Sequence, residues 1–112
     1  MTASQFGLPA NAIRQIRLAL ATFPEVEKAV LYGSRAQGNF KTGSDIDLTL
    51  IGAALTHSRL GDIAEALDDV LLPYSMDLSI FADLNHPALE AHIARVGVVF
   101  VWWGVGGVWG VP

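Results

Sequence analysis

The sequence predicts an α/β domain in which one sheet is covered by helices. Stretches with the two-residue period of strands alternate along the chain with stretches that have the period of helices. The chain has 112 residues, the length of one domain, and 52% of them are hydrophobic, which is enough to fill a core. We therefore predict a single domain over residues 1–112.

Each element has its own signal. Apolar residues at helical spacing, bounded by prolines, indicate the first helix, and strict alternation indicates the strands that carry Asp47 and Asp77. Residues 103–112 are rich in Gly, Trp and Val and follow neither period, so we interpret them as an atypical apolar tail. The predicted elements are helix 9–23, strand 26–32, short helix 33–38, loop 39–44, strand 45–51, helix 59–72, strand 74–81, helix 87–95 and strand 98–102.

Composition excludes several classes of protein. The chain has no cysteine, which rules out disulfide scaffolds, thiol catalysis and sites with cysteine ligands. Its net charge is −4 and its seven basic residues are scattered, so direct binding to nucleic acid is not expected. We find no signal peptide and no apolar stretch long enough to cross a membrane, and we expect a soluble cytoplasmic protein.

Three carboxylates form the first candidate site. Asp45 and Asp47 share one face of a strand, and Asp77 is on the polar face of another. If these strands are neighbours, three unpaired negative charges meet, which would destabilise the fold unless cations offset them. Carboxylate oxygens suit Mg²⁺ or Mn²⁺, and the arrangement is typical of two-metal phosphoryl transfer. The alternative is that these acids only form the solvated face of an edge strand.

A turn after the first strand is the second candidate site. Gly33 and Ser34 open a short helix whose free N–H groups could receive a phosphate. The alternative for Ser34 is an ordinary helix cap. Arg35 could bind phosphate or pair with a carboxylate, or it could be a structural arginine. The histidines His57, His86 and His92 lack the spacing of metal ligands and are interpreted as structural or solvent-facing.

The run GSRAQG at 33–38, followed by SDIDL at 44–48, resembles the signature of the DNA polymerase β-like nucleotidyltransferase superfamily. More narrowly, LPYSMDLSIF at 72–81 and HIARVG at 92–97 are similar to the minimal nucleotidyltransferase (MNT) antitoxins that accompany HEPN-domain toxins. The resemblance covers about residues 10–101. It implies a nucleotidyltransferase fold, which is a mixed sheet flanked by helices with the acids at one edge of an open cleft.

The same resemblance implies a reaction, in which AMP is transferred from ATP to a tyrosine of the partner HEPN toxin and silences it. Asp45, Asp47 and Asp77 would be the catalytic, metal-binding carboxylates, and Asp77 would also help to deprotonate the acceptor hydroxyl. The nucleotide would be bound by residues of the two motifs: Gly33, Ser34, Arg35 and Ser44.

Two other functions remain open on the sequence. The chain could bind a toxin and block it without catalysis, because its apolar tail suggests an exposed apolar surface that a partner would bury. It could also modify a small molecule, although so short a chain leaves no second domain for that pocket. In each case a homodimer or a hetero-oligomer could form.

Overall fold

The helices and strands alternate as the sequence predicts in the computed structural model, which describes residues 5–103 and 109–110. In chain order the elements are α1 (Ala10–Ala21), β1 (Lys28–Tyr32), α2 (Gly33–Gln37), β2 (Ile46–Ile51), α3 (His57–Asp68), β3 (Met76–Ile80), a 3-10 turn (Phe81–Asp83), α4 (Pro87–Val96), β4 (Val98–Trp103) and β5 (Trp109–Gly110).

The strands form one mixed sheet in the order β3-β2-β1-β4-β5. Strand β1 pairs antiparallel with both β2 and β4, and β4 pairs antiparallel with β5. Strands β2 and β3 are parallel, and α3 forms the crossover between them. The predicted α/β fold with a mixed sheet flanked by helices is therefore confirmed.

Different helices pack against the two faces of the sheet. Alternate residues of β2, including Leu48 and Leu50, are fully buried in a core shared with α1 and α3. On the opposite face, Val30 and Tyr32 of β1 pack with Ile93 of α4 in a smaller cluster. Because Asp47 and Asp77 belong to this second face, the smaller cluster lies beside the predicted site.

Helix α3 differs from its predicted bounds of 59–72 at both ends. It begins at His57 because the Thr56 side chain accepts a hydrogen bond from the backbone N–H of Arg59 at 3.1 Å and so caps the helix. It ends at Asp68, and Leu71 then takes a φ of 60°, which a right-handed helix cannot include. Because of this capping and turn geometry, the observed ends of α3 differ from the predicted ends by up to about one helical turn.

The predicted tail is described only in part. Trp109–Gly110 forms a two-residue strand that pairs with Trp102 and Trp103, and the sequence pattern did not predict this strand. Residues 104–108 and 111–112 of the tail lie outside the described residues. Among the helices that are described, none has the length and hydropathy needed to cross a membrane.

Candidate active site

Asp47 and Asp77 lie side by side in the sheet. They are direct partners in the register of the parallel strands β2 and β3, so both side chains project from the same face. Neighbouring strands are about 4.8 Å apart, which makes the two carboxylates near neighbours. Asp45 is exposed and precedes the first residue of β2 by one position. The expectation that the strands carrying these acids are neighbours is confirmed.

We call Asp45, Asp47 and Asp77 the carboxylate cluster, and their mutual repulsion affects the pKa of Asp47. Burial raises the pKa of the Asp47 carboxyl, and the negative charges of Asp77 and Asp45 raise it further. His92 on α4 partly opposes the shift by lowering the pKa of Asp47. The cluster therefore carries unrelieved repulsion when all three acids are ionised.

The chemistry of the carboxylate cluster suits a divalent cation, because hard oxygen ligands and concentrated negative charge are what Mg²⁺ and Mn²⁺ require. Within residues 5–103 and 109–110, no three acidic or histidine side chains are gathered closely enough to hold an ion as they stand. Binding would therefore require rotation of side chains, which the exposure of Asp45 and Asp77 permits. The donor set fits such an ion in kind and in charge.

The start of α2 is packed against Asp47. Gly33 has a φ of +76°, a conformation that glycine adopts without strain, and a Cβ at this position would overlap Oδ2 of Asp47. No side chain caps the helix, so the N–H groups that follow Tyr32 receive no side-chain acceptor at the cap position. Ser34 is half-buried in this first turn. The turn at Gly33 and Ser34, which was predicted to bind phosphate, is thus adjacent to the carboxylate cluster.

Gly33→Ala should disturb the carboxylate cluster more than a matched glycine substitution does. Gly38 also has a positive φ, of +86°, but a Cβ there would meet no atom within 4 Å. Each alanine variant is expected to lose about 1 kcal/mol of stability from backbone strain. Only Gly33→Ala should also weaken Mn²⁺ binding, measured by calorimetry, because it displaces Asp47. Equal Mn²⁺ affinities in the two variants would refute this role of Gly33.

Arg35 is buried and its guanidinium is occupied by the protein itself. It is 3% exposed and donates to the carbonyl oxygen of Ser44 at 2.9 and 3.1 Å and to that of Phe6 at 2.9 Å. The rings of Phe40 and Tyr74 lie against it at 5.5 and 5.3 Å. This environment favours the structural alternative for Arg35 over the predicted contact with a nucleotide.

Ser44 is placed directly before the carboxylate cluster by these bonds. Its hydroxyl accepts a hydrogen bond from the backbone N–H of Lys41 at 2.8 Å, and its carbonyl receives the Arg35 guanidinium. Ser44 therefore closes the loop that leads into Asp45. A nucleotide contact by the Ser44 hydroxyl stays a prediction.

Four residues near the acids were not predicted from the sequence to belong to the site, and one of them, His92, was interpreted as structural or solvent-facing. The ring of Tyr32, opposite Asp47, is 6.3 Å from the ring of His92 in an edge-to-face arrangement. Ser79 donates to the hydroxyl of the fully buried Thr49 at 2.9 Å, two residues beyond Asp77 and Asp47 along their strands. The alternation of β2 and β3 signals the two hydroxyls, whereas no local pattern signals the histidine of α4.

Burial raises the pKa of the Tyr32 hydroxyl, and the charges of Asp77 and Asp47 also raise it, against a smaller opposing effect of hydrogen bonding with Ser79. Tyr32 consequently stays neutral near physiological pH. It lies beside Asp47 on the same face of the sheet and adds no further negative charge to the cluster.

The fold of this chain is shared with several solved toxin–antitoxin structures. A toxin–antitoxin with AMP-PNP matches with a TM-score of 0.66 and 24% identity, over 84% of this chain and 74% of that one. A tri-AMPylated Shewanella oneidensis HEPN toxin with its MNT antitoxin matches with a TM-score of 0.61 and 21% identity, over 85% and 71%. The toxin–antitoxin MntA–HepT matches with a TM-score of 0.57 and 22% identity, over 85% and 71%.

The sequence also matches a family model, although no curated protein matches it. The model describes the polymerase beta nucleotidyltransferase domain and aligns with residues 14–101, which include the whole carboxylate cluster and the Gly33–Ser34 turn. These residues make up well over half of the chain. The chain therefore belongs to the polymerase β nucleotidyltransferase family.

Proposed function

We propose that this protein is a metal-dependent nucleotidyltransferase that transfers AMP from ATP to a hydroxyl of a HEPN-type toxin and thereby acts as an antitoxin. The observation that carries the proposal is the pairing of Asp47 with Asp77 beside Asp45 and Gly33. Asp77 and Asp45 raise the pKa of Asp47, so the ionised acids repel one another and destabilise the free protein. A bound cation with a triphosphate would offset this repulsion.

Each residue has a role in the proposed reaction. Asp45, Asp47 and Asp77 would hold Mg²⁺ or Mn²⁺, which supplies positive charge to the triphosphate. The uncapped turn at Gly33 and Ser34 would bind the β- and γ-phosphates through its N–H groups. The acceptor oxygen attacks the α-phosphorus, the bond to pyrophosphate breaks, and Asp77 accepts the hydroxyl proton.

The proposed partner and acceptor follow from the structural neighbours. One neighbour is a complex of a HEPN toxin with an MNT antitoxin in which the toxin is tri-AMPylated, and another contains AMP-PNP. We extend this to a tyrosine hydroxyl of a HEPN-type partner as the acceptor here.

The direct test is incubation of this protein with a neighbouring HEPN-type gene product, Mg²⁺ and ATP labelled in the α-phosphate. We expect label on the partner and a mass increase of one or more AMP units at tyrosine. Label should not appear when EDTA replaces Mg²⁺, or when the label is in the γ-phosphate. A partner that stays unlabelled while binding this protein would refute the transfer reaction.

Occlusion without catalysis is the second candidate. The observation in its favour is that the described side chains do not already form a group able to hold a metal. A variant with Asp45, Asp47 and Asp77 all changed to asparagine separates the two functions. Loss of protection against the toxin in cells would support catalysis, whereas full protection at equal expression would support occlusion.

A further inference from the structure

The outer edge of β3 has no pairing strand among residues 5–103 and 109–110. Strand β3 is the first in the sheet order and has a neighbour on one side only, so alternate N–H and C=O groups of Met76–Ile80 are left facing outward. Such an edge can accept another extended chain as an additional strand. The edge also carries Asp77, which is exposed.

A groove runs along this edge on the face of the sheet opposite the carboxylate cluster. It is a cavity of about 400 Å³ between β3 and α3, and half-exposed Tyr74, Met76 and Leu78 form its apolar wall. Glu65 and Asp68 of α3 form its rim. No basic side chain lines this groove, and neither rim acid has an ion-pair partner within the described part of the chain.

We propose that an extended, basic and apolar segment of a protein acceptor binds here as a sixth strand beside β3. Alternate side chains of an added strand point to opposite faces of the sheet. Every second side chain would face the groove, where apolar ones would pack beside Met76 and Leu78 and basic ones would meet Glu65 and Asp68. The residues between them would then lie on the face of Asp77, where a tyrosine hydroxyl could be presented.

This docking mode rests on the proposed function for its purpose, since it explains how a hydroxyl of the acceptor could be delivered to Asp77. Its binding step needs neither nucleotide nor metal. Binding can therefore be measured separately from transfer, and Asp47→Asn protein should bind the segment as wild-type protein does.

The probe is a short synthetic peptide in which every second residue is either apolar or lysine, so that both kinds face the groove, and one tyrosine occupies a position between them. A second peptide carries N-methyl groups on the backbone amides that would pair with β3, and a third has glutamate in place of lysine. Affinity is measured with the full chain by fluorescence anisotropy at about 0.15 M salt, where the effect of a charge is local. Hydrogen exchange of the β3 amides is followed in parallel.

We expect the first peptide to bind and to protect amides of Met76–Ile80 from exchange, whereas backbone methylation should weaken binding about tenfold or more. Asp68→Lys should weaken it about three- to tenfold. The matched control Asp69→Lys changes the charge equally but lies outside the groove, so it should stay within about twofold.

Several results would overturn the proposal. These are no binding of the lysine peptide by folded protein, equal binding of the methylated peptide, and equal effects of the two lysine substitutions. Binding without protection of the β3 amides would assign the groove to a helical ligand instead, which also contradicts strand addition. Failure of AMP transfer alone would leave these binding results unaffected.

Discussion

Asp47→Asn is expected to lower AMP transfer by about 1000-fold or more while making the metal-free protein more stable. The loss follows from removal of a charged ligand, because a bound cation is worth several kcal/mol in the transition state. The gain follows from the raised pKa of Asp47, which results from burial and from the charges of Asp77 and Asp45. Function and stability should thus change in opposite directions.

The sign of the stability effect follows from proton linkage. Because the pKa of Asp47 is higher in the folded protein than in the unfolded chain, the folded state holds this proton more tightly. The corresponding stability is present below the ordinary aspartate pKa and is lost as the pH rises through the raised value. At neutral pH the ionised carboxylate therefore opposes folding, and asparagine should raise Tm by a few degrees.

Thermal melts in EDTA and in Mg²⁺ provide the measurement. Mg²⁺ should raise Tm of the wild-type protein and have little effect on Asp47→Asn. Asp69→Asn removes the same charge from the exposed end of α3 and is the control, with transfer unchanged. A lower Tm for Asp47→Asn in EDTA, or retained transfer, would contradict the assignment of Asp47 as a repelled metal ligand.

Arg35→Ala is expected to cost about 3 kcal/mol of unfolding free energy. The substitution leaves the carbonyls of Ser44 and Phe6 without their charged donor, and each buried, unpaired group costs about 1–3 kcal/mol. It also removes the cation that lies against the rings of Phe40 and Tyr74. Arg35→Lys should recover only part of the loss, because a single ammonium cannot reproduce the planar guanidinium fork.

Urea unfolding distinguishes the two roles considered for Arg35. Arg14→Ala is the control, since Arg14 is exposed and its side chain donates to Asn11 of its own helix, and its change should stay within about 0.5 kcal/mol. If Arg35→Ala kept wild-type stability but lost affinity for ATP, the guanidinium would be a phosphate ligand. Loss of stability with ATP affinity retained in the folded fraction would establish the structural role.

Much of the fold could be predicted because the signals for its elements are local. Alternation in 45–51 and 74–81 predicted β2 and β3, and prolines and apolar spacing predicted α1. The ends of α3 could not be predicted in this way, since Thr56 capping and the positive φ of Leu71 decided them. The strand Trp109–Gly110 is too short to show any period and exists by pairing with β4.

The sequence by itself determined the chemistry of the carboxylate cluster, because the alternation of a strand assigns Asp47 and Asp77 to polar faces without reference to the rest of the chain. Only the tertiary structure decided that these faces meet, since the register of two strands separated by a helix depends on packing between distant residues. It also decided that Arg35 is buried against backbone carbonyls and that His92 lies near Asp47. Such contacts join residues remote in the chain, and no local pattern records them.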